Sequence, residues 1–179
     1  MMKQLSIGFC LFTKRSIILF FLFGFSVVSS QNQKSLDILL KQNNTGSIPY
    51  ISVEELQNLL IEDSVVVLDT REAKEFNVSH ITSAINIGFD KFSSEDKILQ
   101  HLDKDTQIVV YCSVGIRSER IGENLKQVGF SNVKNLYGGI FEWKNKGLTV
   151  FNSKGTETEN IHTFSRRWSH YLKAGNPVY

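Results

Sequence analysis

The stretch 107-QIVVYCSVGIRSER-120 runs from an apolar, β-branched segment into a cysteine, a glycine, an arginine and the start of a helical pattern. Ile108, Val109, Val110 and Tyr111 form a continuous apolar run too short for a helix, which suits a strand buried on both faces. Ile121, Leu125 and Val128 then share one helical face, and Gly129 supplies a stop. Cys112 therefore falls at the carboxyl end of a strand, Gly115 lies in the loop, and Ser118 is placed to cap the helix. Ligands of open α/β sheets bind in that crevice.

The pattern repeats on either side. A second buried strand is expected at 64-SVVVLD-69, with further strands at 84-AINI-87 and 132-NVKNL-136. Helical patterns fall between them at 71-REAKEF-76, 94-SEDKILQHL-102 and 118-SERIGENLKQVG-129, and 138-GGIFEWKNKG-147 closes the series. At 52-SVEE-55 a serine precedes a glutamate by three residues, the spacing with which a helix start satisfies its own N–H groups. Alternating elements with short connections predict an α/β layer fold with a parallel sheet.

Composition sets the frame for the chemistry. The chain has 179 residues, 41% of them hydrophobic and 11% aromatic, enough for one globular domain with extensions. Lys14 and Arg15 precede the apolar run 16-SIILFFLFGFSVV-28, which is shorter than the roughly 20 residues of a spanning helix. Small residues follow. Residues 1–30 are read as a secretory signal, and an uncleaved anchor is the alternative. An exported chain, periplasmic or secreted and with no stable membrane span, keeps 17 basic against 18 acidic residues, a formal charge of −1 in place of +2. A near-neutral surface argues against nucleic acid. Cleavage also removes Cys10, leaving Cys112 without a disulfide partner and flagging it as a reactive thiol.

A tight loop after Cys112 can turn successive N–H groups inward as an anion-binding nest, with Gly115 permitting the positive φ it needs. The following helix N-terminus and the Arg117 guanidinium add positive charge, which favours thiolate over thiol. Cys112 is the candidate nucleophile, and Ser113, Val114, Gly115, Ile116, Arg117 and Ser118 are the candidate substrate-binding positions. Cysteine-dependent phosphatases use a loop one residue longer between cysteine and arginine. The loop here resembles that of the rhodanese (sulfurtransferase) family, whose smaller cradle fits a persulfide.

The resemblance extends to 69-DTREAKEFNVSHITSAINI-87 and 136-LYGGIFEWKNKG-147, which resemble the family's opening and closing signatures. It covers roughly residues 48–151 and implies a rhodanese-like fold, a five-stranded parallel sheet flanked by helices on both faces. It also implies ping-pong transfer of a sulfane sulfur from a small anionic donor such as thiosulfate to cyanide or a thiol, without cofactor, through a Cys112 persulfide. Asp69, Arg71 and Glu75 are by the same resemblance structural residues near the site, and His80 is read as structural because nothing in the sequence places it beside Cys112. The alternatives are a noncatalytic rhodanese-like binding module and a phosphatase or arsenate-reductase-like enzyme. Ser79 stands where the family often has glycine, and Ser113 where thiosulfate-using members often carry a basic residue.

Outside that span, residues 31–47 are read as a short helix or a tether. A metal site is not expected, because one mature cysteine and scattered His101, His162 and His170 lack ligand spacing. In the tail, 152–179, Phe164, Trp168, Tyr171 and Leu172 follow helical spacing and predict an amphipathic helix. That helix either packs on the domain or offers a surface to a protein partner or an anionic membrane.

Overall fold

The computed structural model describes residues 35–179; the expected signal segment, Cys10 included, and residues 31–34 lie outside the described residues. The chain divides into two compact units, Met1–Leu39 and Leu40–Tyr179. In the first, the described residues 35–39 are helical. The second opens with helical residues 40–43 and carries the sheet, the Cys112 loop and the tail.

Strands β1 (Tyr50–Ile51), β2 (Val66–Asp69), β3 (Ile85–Asn86), β4 (Ile108–Tyr111) and β5 (Val133–Leu136) form one sheet in the order β1-β5-β4-β2-β3. Every pairing is parallel. Helices α1 (Val53–Ile61), α2 (Ala73–Val78), α3 (Lys97–Gln100), α4 (Arg117–Gln127) and α5 (Gly139–Asn145) make the connections that parallel strands require. The α/β class and the parallel sheet are as the sequence pattern predicts, and the five strands are as the family resemblance implies.

β4 is the central strand, and all four of its residues are fully buried. Ile108 and Val110 pack with Leu68, with Ile121 and Leu125 of α4, and with Leu99 and Phe130. Strand alternation turns Val67 and Val109 to the other face. Each such side chain contributes about 2 kcal/mol by leaving water, which is why these runs are apolar without interruption. At the start of α1 the expected reciprocal cap is present: the Glu55 N–H donates to Ser52 Oγ (3.2 Å) and the Ser52 N–H to Glu55 Oε2 (2.9 Å).

Two expectations are corrected. The helix predicted over 94–102 is only the short α3, because the Asp96 carboxylate takes the Ile98 N–H (2.9 Å) and sets a late start. The amphipathic helix predicted in the tail does not form. Instead β6 (Val150–Phe151) pairs antiparallel with β7 (Glu157–Thr158), and β8 (Asn160–His162) pairs parallel with β9 (Asn176–Val178). Phe164 has φ +63°, which no right-handed helix accommodates, and a single 3-10 turn, Ser169–Tyr171, remains of the helical pattern. A Lys144–Glu159 ion pair (2.7 Å) links the tail to α5. Among the described residues no helix is long and apolar enough to cross a membrane.

Candidate active site

β4 ends at Tyr111, and the chain passes through Cys112, Ser113, Val114, Gly115 and Ile116 before α4 starts at Arg117. Gly115 holds φ +107°, a conformation that a side chain rarely adopts. Its N–H points at Cys112 Sγ (3.2 Å).

The loop's carbonyls are held from outside. Cys112 O accepts the Ile140 N–H (2.9 Å) and Ser113 O the Phe141 N–H (3.2 Å), both from the first turn of α5. Gly115 O accepts from the side-chain amides of Asn135 and Asn44, each at 2.9 Å. In a trans peptide the N–H points opposite to the C=O. The N–H groups of Ser113, Val114 and Ile116 thereby point away from these anchors, and all three residues line the adjoining pocket. The paired glycines at 138 and 139 serve this docking. A Cβ on Gly139, itself at φ +55°, would stand 2.3 Å from Cys112 O.

Cys112 is 2% exposed and unpaired. Burial pushes its thiol pKa up, but the Arg117 charge and hydrogen bonds from Ser118 and Gly115 outweigh it and hold the group below the usual thiol range. Ser118 does not cap α4 as the sequence suggested. Ile116 occupies that position, and the buried Ser118 hydroxyl donates to Asn135 Oδ1 (2.7 Å).

Arg117 reaches back over the loop. Its Nη1 and Nη2 donate to Glu75 Oε2 and Oε1, both at 2.8 Å, and Nη2 also meets Ser113 Oγ at 3.3 Å. Burial pushes the Glu75 pKa up, yet Arg117 brings the carboxyl below the usual range. Asp69 and Arg71 form a separate, fully buried pair (2.6 Å) at the end of β2. Arg71 Nη2 also donates to Ser79 O (2.6 Å), and the Tyr111 hydroxyl accepts the Ile81 N–H (3.1 Å). These bonds fix the 79–81 segment beside β4. His80 stacks on Phe76 (3.9 Å between centroids), and its backbone bridges Phe151. It has a packing role here. The structure thus brings Glu75 to the loop and leaves Asp69, Arg71 and His80 as supports behind it.

A pocket of about 210 Å³ opens on the loop, lined by Cys112, Ser113, Val114, Ile116, Arg117, Phe164 and Trp168. Phe164 and Trp168 were not identified from sequence as site residues, and neither were Asn44 and Asn135. Among the described residues no cluster of three or more His, Cys, Asp or Glu side chains is arranged to hold a metal.

The rhodanese-like domain family model matches residues 52–146, more than half of the chain, and the protein belongs to that family. The tRNA uridine(34) hydroxylase of Sodalis glossinidius (strain morsitans) is 37% identical over 98 residues, which cover 52% of this chain and 28% of that protein. The chain thus spans less than a third of the length of that curated relative. Among solved structures, the human single-domain sulfurtransferase superposes with a TM-score of 0.51 at 22% identity, covering 56% of this chain and 98% of that one. The thiosulfate sulfurtransferase of Pseudomonas aeruginosa gives a TM-score of 0.53 at 22% identity over 70% of this chain and 23% of that one. At such identities these two structures establish the shared fold.

Proposed function

We propose that the protein is a sulfurtransferase that carries a sulfane sulfur on Cys112. The observation that supports this most is the Cys112 sulfur itself, at the floor of a four-residue loop, with the Gly115 N–H on it and Arg117 holding its pKa down. In the first half-reaction the Cys112 thiolate attacks the outer sulfur of an anionic donor of the thiosulfate kind. The donor's S–S bond breaks and sulfite leaves with the electron pair, so the charge is conserved and the new terminal sulfur is anionic. Loop amides turned inward at Ser113, Val114 and Ile116 would stabilise that charge. In the second, cyanide or a thiolate attacks the terminal sulfur, and the bonding pair returns to Cys112 as thiolate.

The curated relatives are named for tRNA hydroxylation, but the chain covers 28% of such a protein, and its formal net charge of +2 supplies little general attraction for tRNA. Thiocyanate production from thiosulfate and cyanide tests the reading. Turnover that is lost in Cys112→Ser supports it; turnover that survives that substitution refutes it. Aryl-phosphate hydrolysis should be absent, and its presence would favour the phosphatase reading. Export is part of the proposal and rests on Lys14, Arg15, the apolar run and the small residues after it. N-terminal sequencing of protein recovered from its native host, starting near residue 31, is the expected result.

A further inference from the structure

The tail places two aromatic rings where the family-matched region ends short of them. Phe164 and Trp168 lie beyond the matched residues 52–146, yet both line the pocket above Cys112. Phe164 is held there against its own backbone preference. Its φ of +63° costs about 1–3 kcal/mol for a non-glycine residue, a strain that persists only where the surroundings impose it. The surroundings are visible: β8 pairs with β9, the Thr163 N–H donates to Val178 O (2.9 Å), and the Phe164 N–H donates to His162 Nδ1 (3.0 Å). The residue is 57% exposed, and its ring centroid lies 5.4 Å from the Arg117 guanidinium carbon.

Val114 and Ile116 add aliphatic wall to the two rings, and Cys112 and Ser113, both buried, complete the lining with Arg117, its single charged residue, which is already bound through both terminal nitrogens to the buried Glu75. At about 210 Å³ the pocket is smaller than the roughly 300 Å³ at which sites for drug-sized ligands begin. It has room for a small substituent, and its lining offers that substituent aromatic and aliphatic contact.

We infer that Phe164 and Trp168, with Val114 and Ile116, form an acceptor subsite that selects thiols with an apolar or aromatic body. The inference rests on the sulfurtransferase reading and names its acceptor class. The acceptor thiolate, its ring against Phe164 and Trp168, attacks the terminal sulfur of the Cys112 persulfide. The bond between the two sulfurs breaks, its electron pair returns to Cys112, and an organic persulfide leaves with the acceptor's negative charge. No oxidant or reductant is consumed.

The test compares benzyl mercaptan with 2-mercaptoethanol, two uncharged thiols that differ in the ring, as acceptors for full-length protein preloaded with sulfur from thiosulfate. Benzyl mercaptan should discharge the persulfide about tenfold faster or more at equal thiolate concentration, the scale on which apolar pockets discriminate. In Phe164→Gly and Trp168→Ala that ratio should fall severalfold. The glycine also relieves the positive φ, so the Phe164→Gly melting temperature should be no lower than that of the parent, which separates loss of the ring from loss of the fold. A parent ratio near one, or an unchanged ratio in both variants, overturns the subsite. Should no persulfide form, the sulfurtransferase reading fails instead. The subsite is then judged by titration with unreactive benzyl alcohol, read by tryptophan fluorescence, where saturable binding weakened in Phe164→Gly upholds it and absence of binding overturns it.

Discussion

Arg117 and Glu75 meet as two planar groups, with Nη1–Oε2 and Nη2–Oε1 both 2.8 Å. The cation closest to Cys112 is therefore partly spent before any donor arrives, and a thiosulfate dianion must share it with a buried carboxylate. Two parallel hydrogen bonds also fix where the guanidinium lies. The same contact makes Arg117 a structural residue as well as a charge near the sulfur. From sequence, Arg117 was expected as a charge near the sulfur and as a donor-binding position, without this structural contact.

Arg117→Ala should accordingly weaken the fold along with the chemistry. Glu75 is fully buried while Arg117 is 21% exposed, so the loss falls toward the low end of the range for breaking a buried pair, about 3 kcal/mol. The shift in urea midpoint measures it. Adding Glu75→Gln removes the stranded charge and should restore a large part of that stability, so a double-mutant cycle that shows simple additivity would contradict the pairing's role.

The Cys112 thiol titrates below the usual range, which fixes the sign of its pH dependence. Alkylation by iodoacetamide should reach half its maximal rate at a lower pH than for an ordinary cysteine thiol. In Arg117→Ala the midpoint should move up. For stability, a folded pKa below the unfolded one means the contribution is full above the unfolded pKa and is lost as pH falls through the folded value. A parent midpoint at or above that of a free thiol contradicts the electrostatic account.

Gly139→Ala tests how α5 orients the loop. The new methyl would stand 2.3 Å from Cys112 O and 2.8 Å from Ser113 O, at a residue whose φ is +55°. Backbone strain alone contributes about 1 kcal/mol and the clash adds to it. The substitution should lower the urea midpoint and also slow Cys112 alkylation in protein that is still folded at low urea. Normal reactivity in the folded variant would show that the loop does not depend on this docking.

Asp69 and Arg71 are both 0% exposed, and their 2.6 Å pair is predicted to be structural. Arg71→Met strands a buried carboxylate and should cost about 3–5 kcal/mol. Where folded protein can be recovered at low temperature, its persulfide should still form. A specific loss of sulfur loading with unchanged stability would assign Arg71 a chemical role instead.

The parallel sheet was readable because strands covered on both faces carry unbroken apolar runs, as Val66–Leu68 and Ile108–Tyr111 do. The Cys112 loop was readable from its glycine and its spacing. Local pattern was a poorer guide where non-local contacts decide. Ser118 has the character of a cap, but its hydroxyl is buried against Asn135 of a neighbouring strand. Phe164, Trp168, Tyr171 and Leu172 have the spacing of a helix, but the β8–β9 pairing bends the segment over the pocket. No local signal tied those two rings to a cysteine so far back in the chain. Glu75 carried a family signal for proximity to the site, and only the folded chain shows that it holds Arg117.

The central claim is that Cys112 carries sulfur as a persulfide, and intact-mass spectrometry of protein incubated with thiosulfate tests it most directly. The account predicts a gain of one sulfur atom, removed by cyanide and absent in Cys112→Ser. A mass unchanged by sulfane-sulfur donors, or a sulfur gained equally by Cys112→Ser, would contradict it.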